Sequence, residues 1–474
     1  MDFDCAQSDR KLRNYKKPVE ELQDNIQFQL TNELIEKVEI LVEDQKDKEL
    51  KALLNEFHYA DIAEIIDEID LDDSVYVIKL LDSETTSDIL MELDEDIREK
   101  ILKNLSVKEI AEEVEELDTD DAADMIGELP EERQEAVISQ IEDEEHKAEI
   151  QELLNYDEDT AGGLMAKELV KVYETWTVAG CLRRIRGQAK EVKRVHSIYV
   201  VDKEEKLIGR LSLKDLIVAK SDQKIAEIAK DNVDFVNVAD DPEDVAKVMA
   251  KYDLEAIPVV DESQTLLGRI TIDDIVDVLK EEADKDYQLA AGITQDVDSD
   301  DSILELTRAR LPWLFLGLVG GIGAFLIMEG FQEAFNKYAL LFFFTPLIAA
   351  MAGNVGVQSS AIIVQGLAND DVKGSINRRL IKEMLLAALN GTILALFLFV
   401  FVWITKSDVN TALAISISLI AVIIVAGLIG TFVPLFLDKR GIDPAIATGP
   451  FITTSNDIFG ILIYFWIAKL ILGI

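Results

Sequence analysis

The 474-residue sequence predicts a multidomain fold: an acidic α-helical superhelix domain over residues 1–155, a tandem α+β repeat over 156–281, a linking helix over 282–310 and a five-helix transmembrane domain over 311–474. Three observations predict it. The formal net charge of −44 is confined to residues 1–310, which hold 82 acids against 38 bases, while the remainder balances nine of each. A pattern of apolar strands recurs at an offset of 59 residues. Five apolar segments, near 312–331, 338–366, 380–404, 411–437 and 444–472, each reach the roughly 20 residues that a helix needs to cross a bilayer.

The first element is a string of short amphipathic helices. Stretches such as 60–70, 86–94, 107–118 and 122–130 place apolar residues at helical spacing opposite an acidic face. Stacking such helices into a superhelix buries the apolar faces. The acid excess argues against nucleic acid as a partner, because that affinity comes largely from Lys and Arg neutralising phosphates. It argues for cations, since a surface this acidic repels itself and concentrates counterions. The N-terminal 17 residues lack the apolar core of a secretory signal, so residues 1–310 are expected in the cytosol. Cys5 and Cys181 are too few for a disulfide framework and lie in no CxxC or Cys/His cluster.

The second element is a true repeat. Ser197–Asp202 recurs as Ala256–Asp261, and Leu207–Ile217 recurs as Leu266–Val276. Each copy reads as strand, turn, strand and helix, and the pair resembles tandem CBS modules over about residues 161–281. Such pairs sense a nucleotide or an ion for an attached transporter or enzyme. In that family a Ser or Thr three residues before an Asp often holds a ribose. Here those positions are Ser212 with Asp215 and Thr271 with Asp274. The same S/T-x-x-D spacing also caps a helix, so ATP binding stays open.

The five apolar segments carry the chemistry. Eight bases, among them Arg308, Arg310, Lys373, Arg378 and Lys439, fall at the proposed inner ends, against Lys337, Lys406 and Lys469 outside. That asymmetry places the N-terminus in the cytoplasm and the C-terminus outside a multi-pass cell-membrane protein. In the second segment, Pro346 and the small residues Ala349, Ala350, Ala352, Gly353 and Gly356 allow close backbone approach or unwinding, and Asn354 and Gln358 share one helical face. The last segment holds Asp457, a lone carboxylate beside Thr453, Thr454, Ser455 and Asn456. A charge at a helix centre costs roughly 2.5 kcal/mol or more, which makes it a functional-site hypothesis by default. Hard oxygen donors suit a cation such as Mg2+; the bland alternative is a protonated Asp bonded between helices.

An acidic helical domain, a CBS pair, a linking helix and five membrane helices bearing Gly353-Asn354-x-Gly356-x-Gln358-Ser359 and Asp443-Pro444-Ala445 with Gly449-Pro450, Thr453 and Asp457 resemble the MgtE family of magnesium channels. The resemblance covers nearly the whole chain from about residue 30. It implies a homodimer in the bilayer whose pore lies on the two-fold axis between the second and fifth helices, with Asp457 of each chain binding hydrated Mg2+ and Gly353 and Thr453 contributing backbone oxygens. It also implies Mg2+-sensing positions at Asp88, Asp120, Asp124, the Gly163 backbone, Glu243, Asp253, Asp274, Asp277, Glu282 and Asp286. The sequence departs from the family pattern at Thr453, Gly449 and Lys285. Independently of the resemblance, Asp274 with Asp277 and Glu282 with Asp286 set carboxylates at i, i+3 and i, i+4, where like charges repel unless a cation sits between them; solvated helix acids are the alternative.

The expected function is Mg2+ uptake gated by cytosolic Mg2+. In that scheme the linking helix, Glu281 to Arg310, moves over the pore mouth when the acids are neutralised. A CBS-regulated secondary divalent-cation transporter or exchanger shares the topology, and a membrane-anchored signalling protein is a third class. The chain is not expected to be an enzyme. An intramembrane metalloprotease needs HExxH, and the three histidines, His58, His146 and His196, form no such motif.

Overall fold

A computed structural model describes residues 28–190, 192–295, 297, 301–369, 372, 375–406, 408–447 and 449–473, the side chains of 334, 335 and 447 excepted. Cys5 and Lys373 lie outside the described residues. The chain divides into two compact units, one ending at Leu279 and the other beginning at Lys280.

The first unit starts with ten short helices: α1 (Asn32–Glu43), α2 (Asp47–Leu54), α3 (Tyr59–Glu68), α4 (Leu71–Leu80), α5 (Ser83–Glu92), α6 (Glu95–Asn104), α7 (Val107–Val114), α8 (Thr119–Gly127), α9 (Glu131–Ile138) and α10 (Glu144–Leu153). They are short because cap residues recur about every twelve positions. Asp82 accepts from the Thr85 N–H at 3.2 Å. Ser106 and Glu109 close a reciprocal capping box at the start of α7. Alternate helices stack, α3 on α5, α5 on α7 and α7 on α9, with α4 on α6 and α8 on α10 beside them, which is the expected superhelix.

The repeat folds as two three-stranded sheets. The first contains β1 (Val170–Tyr173), α11 (Val178–Gln188), β2 (Ile198–Val201), β3 (Leu207–Leu211) and α12 (Leu213–Val218). The second contains β4 (Val236–Asn237), α13 (Pro242–Tyr252), β5 (Ala256–Val260), β6 (Leu266–Thr271) and α14 (Ile272–Ala291). In each, the first strand runs parallel to the second and the second antiparallel to the third. Val200 opposes Gly209 as Val259 opposes Gly268, and both ladders shift register at the next residue, so the 59-residue repeat extends to the bulge. The core of the helical domain runs on into the second module through Met165, Val245, Ile257 and Ile275. The first module keeps a separate core around Val172, Cys181 and Val200.

The second unit holds α15 (Ile303–Gly330), α16 (Gln332–Lys337), α17 (Ala339–Ala368), α18 (Ile376–Lys406), α19 (Val409–Asp438) and α20 (Gly449–Leu472). Five of these are long and apolar enough to cross a membrane. Helix α19 is central: 56% of its most apolar window is buried against 11% for α15, and it packs on α17, α18 and α20.

The linking segment differs from the single helix expected over 282–310. Helix α14 stops at Ala291, Gly292 follows at φ 84°, and α15 opens at Ile303 behind a Ser302/Glu305 capping box. A left-handed glycine and a helix N-cap are stop and start signals that outweigh the helical charge pattern around them. Arg308 and Arg310 therefore belong to the first membrane helix. At the other end, Pro444–Ala447 form a 3-10 turn, and the last helix begins at Gly449 instead of 444.

Candidate cation pathway and cytosolic acid clusters

Helices α17 and α20 enclose a cavity of about 520 Å3 lined by Ala349, Ala350, Gly353, Asn354, Val357, Gln358, Thr453 and Asp457. All five residues that the sequence marks in the membrane, Gly353, Asn354, Gln358, Thr453 and Asp457, line it. Asp457 has no hydrogen-bond or ion-pair partner among the described residues, whereas Asp408, at the start of α19, accepts from the Asn410 and Thr411 N–H groups at 3.1 and 3.3 Å. A half-buried carboxylate without a donor in a membrane helix is an unbalanced charge that a cation can neutralise. The Asn354 and Gln358 amides, four residues apart on α17, add oxygen acceptors to the same wall.

Small residues set that wall. Helix α17 is continuous through Pro346, so the glycines serve close approach and not unwinding. A Cβ on Gly356 would lie 1.8 Å from Asn456 Nδ2, and one on Gly430 would lie 2.3 Å from the Gly356 carbonyl oxygen. The gap left by Gly356 is filled by Asn456, which is buried and donates from Nδ2 to the Ala352 carbonyl at 3.2 Å. Asn456 thus faces α17 while its neighbour Asp457 faces the cavity. Thr453 donates its hydroxyl to the Gly449 carbonyl at 2.9 Å.

A second cavity of about 550 Å3 shares Thr453 and Asp457 and is bounded by Gly292, Arg310, Trp313, Gly317 and Pro450. Sequence reading missed this side of the site. From sequence Arg310 is a topology signal and the end of the linking helix, and the break at Gly292 is not expected there.

The cytosolic acids fall into separate groups. Asp120 is 9% exposed, and Asp120, Asp121 and Asp274 lie in one another's field. Burial, reinforced by this mutual repulsion, raises the Asp120 carboxyl well above the usual range, and burial together with Asp274 takes Asp121 to about 7. Asp274 itself rises to about 6, chiefly by burial, despite accepting from the Thr271 N–H and hydroxyl at 2.9 and 2.8 Å. Asp88 borders this group through Lys193, and Asp277 through Glu92, whose carboxyl burial and Asp277 raise together. Asp124 follows on the same helix: burial, then Asp121 and Glu158, bring it to about 7. Gly163 belongs beside it, since a Cβ there would meet the Glu158 backbone at 2.7 Å.

Other expected positions are not brought together. Glu243 and Asp253 sit at opposite ends of α13, about 15 Å apart at 1.5 Å per residue, and Glu243 pairs with Lys247 at 2.9 Å. Glu282 pairs with Lys285 at 2.9 Å, and Asp286 follows one turn later on α14. Among the described residues no three Asp, Glu, His or Cys side chains are arranged to hold a metal ion. The sequence reading did not single out Asp121 and Glu158, although Asp118, Asp120, Asp121 and Asp124 crowd seven positions. Ser212 and Asp215 satisfy each other in a capping box, Asp215 accepting from the Ser212 N–H and hydroxyl at 3.1 and 2.7 Å.

Residues 345–467 match the family model described as MgtE, divalent cation transporter; residues 57–159 match the MgtE intracellular N domain, and 161–222 and 225–281 match the CBS domain. The magnesium transporter MgtE of Enterococcus faecalis is 37% identical over 321 residues, 68% of this chain and 71% of that one. The chain belongs to the MgtE family. MgtE relatives from Thermus thermophilus and Bacillus subtilis are 36% and 33% identical, over 68% and 67% of this chain and 72% and 71% of theirs. The cytosolic domain of an MgtE Mg2+ channel in complex with ATP is similar at 35% identity and a TM-score of 0.49, covering 52% of this chain and 99% of that one. The soluble part of a magnesium transporter is 32% identical with a TM-score of 0.47, over 53% of this chain and 98% of that one.

Proposed function

We propose that this MgtE-family chain transports Mg2+ across the membrane along the path that Asp457 lines, and that cytosolic Mg2+ bound at the acid clusters regulates it. The observation that carries the first part is the partnerless Asp457 carboxylate facing a cavity of about 520 Å3. At roughly 30 Å3 per water, that space accommodates a cation with several waters. Mg2+ surrenders its waters reluctantly and prefers oxygen ligands in octahedral geometry. Asp457 would therefore attract the hydrated ion by charge, while the Asn354 and Gln358 side-chain oxygens and the Gly353 and Thr453 backbone accept from its waters. Such a site favours a small divalent ion without holding it too tightly to leave.

For regulation, Asp88, Asp120, Asp274 and Asp277 form one candidate zone, Asp124 and the Gly163 backbone a second, and Glu282 with Asp286 a third. Glu243 and Asp253 are too far apart on α13 to share one ion within a chain, so each would need ligands from elsewhere, as a homodimer supplies. Divalent binding would offset the repulsion among these acids and favour the compact arrangement. The intracellular character of the matched N domain and the distribution of bases support a cytosolic N-terminus and an external C-terminus. A nucleotide held at Ser212 and Asp215 would compete with their capping box, and an ATP titration followed by thermal unfolding reads whether it binds.

The test is Mg2+ flux through the purified protein in liposomes, followed with an indicator dye inside and a series of divalent ions outside. Passive Mg2+ entry that falls as lumenal Mg2+ rises on the side of the N-terminal domain is expected. No entry above protein-free liposomes would overturn the transport reading. Entry only against a counter-ion gradient would make the protein an exchanger.

A further inference from the structure

Three of the acids marked as sensing ligands already hold a lysine. Glu243 with Lys247 and Glu282 with Lys285 are pairs within one helical turn, both at 2.9 Å. Asp88 with Lys193 is different: at 3.4 Å, it joins α5 of the helical domain to the loop after α11 of the first CBS module, 105 residues away. The Lys193 ammonium lies in the field of Asp118 and Asp121 as well as Asp88; burial lowers its pKa, and the three carboxylates more than offset this and raise it. A second base borders the same zone. Arg269 is 6% exposed, donates to the Glu168 carbonyl and faces Asp118 at 3.8 Å. Arg269 is thus held at two points, whereas the Lys193 side chain is 58% exposed and pairs with Asp88 alone among the described residues.

We propose that Lys193 is a tethered cation paired with Asp88 beside the α8 acids, which a divalent cation must displace, so that this lysine sets the Mg2+ concentration at which the cytosolic unit tightens. The inference rests on the Mg2+ regulation proposed above and names a residue that tunes it. A tethered group has an effective concentration in the millimolar range, so it competes with millimolar divalent ions on comparable terms. An exposed ion pair is individually weak, and displacing one lowers apparent affinity by about two- to fivefold. The role needs a charge on a long stem. Arginine therefore substitutes for it and methionine does not.

The experiment is limited proteolysis of the full-length protein in detergent across a Mg2+ series at constant ionic strength, with thermal unfolding confirming that each variant is folded. Lys193→Met is expected to lower the Mg2+ midpoint of protection by about threefold. Lys193→Arg keeps the parental midpoint, and Asp88→Asn raises it. A parental midpoint in Lys193→Met, beside a clear response of the parent and of Asp88→Asn, overturns the tethered cation while leaving Mg2+ regulation standing. An equal drop in Lys193→Arg overturns it too, because charge would not be the cause. If the parent shows the same protection in Na+ as in Mg2+, the regulatory reading fails first and this inference falls with it.

Discussion

Gly430→Ala places one methyl group where the structure has no room. Its Cβ would lie 2.3 Å from the Gly356 carbonyl oxygen and 3.1 Å from the Gly356 carbonyl carbon and Cα. All three atoms are backbone inside α17, so no side chain can turn aside. Restoring ordinary contact at 3.4 Å or more requires α17 and α19 to separate by about 1 Å, and overpacking of this kind costs typically 1–3 kcal/mol. The displaced helix carries Gly353, Asn354 and Gln358, which form the wall facing Asp457, so the shift changes the pathway as well as stability. The contrasting substitution is Gly321→Ala in α15, where nothing lies within 4 Å of the added carbon. Thermal unfolding in detergent and liposome flux are the assays. Gly430→Ala is expected to unfold several degrees lower and to alter Mg2+ flux, with Gly321→Ala near the parent in both. Parental stability and flux in Gly430→Ala would refute the claim that the α17/α19 crossing sets the wall.

Further predictions concern the helical domain. Glu113 is 9% exposed with its Oε2 unpartnered, and burial, then Glu112, push its pKa up to about 8. A carboxyl raised in the folded state costs nothing below its unfolded pKa; stability is lost as pH climbs from about 4.5 to about 8 and stays lost above. Glu113→Gln should therefore match the parent near pH 4 and exceed it at pH 9 by on the order of a few kcal/mol, read by denaturant unfolding at both pH values; an equal difference at the two would contradict the assignment. Arg98 donates from Nε to both Glu128 carboxylate oxygens at 2.8 and 3.1 Å, with side chains only 12% and 10% exposed. Arg98→Ala should cost about 3–5 kcal/mol by stranding Glu128 and by removing the donor to the Leu90, Met91 and Leu93 carbonyls, while the double replacement by Met and Leu recovers only the Glu128 part; equal losses in both would show that stranding Glu128 is not the cause.

Much of this architecture was legible because it rests on periodicity. The matching of Ser197–Asp202 with Ala256–Asp261 carried through to strand register and bulge, since a one-residue slip would turn every apolar side chain out of its core. Asp457, Asn354 and Gln358 were legible because polarity is costly in a membrane helix, and helical spacing put the amides on one face. The break between α14 and α15 was hidden by helix-compatible charges on both sides, although Gly292 and Ser302 were the signals for it. The composition of the acid clusters was less visible. Asp121 adjoins Asp120 in the sequence, but Asp274 and Glu158 reach the α8 acids through folding of segments far apart, and Lys193 reaches Asp88 across 105 residues, which no local spacing reports. The capping use of Ser212 with Asp215 could be listed as an alternative from sequence, but only side-chain geometry showed it formed.

Asp457→Asn keeps the shape of the side chain and removes its charge, so Mg2+ flux through this variant in liposomes tests the central claim most directly. With thermal unfolding and oligomeric state matching the parent, the account predicts Mg2+ entry reduced to the protein-free background, and Asp457→Glu retaining a measurable share of it. Near-parental Mg2+ flux through well-folded Asp457→Asn would contradict the claim that this carboxylate draws the ion into the pathway.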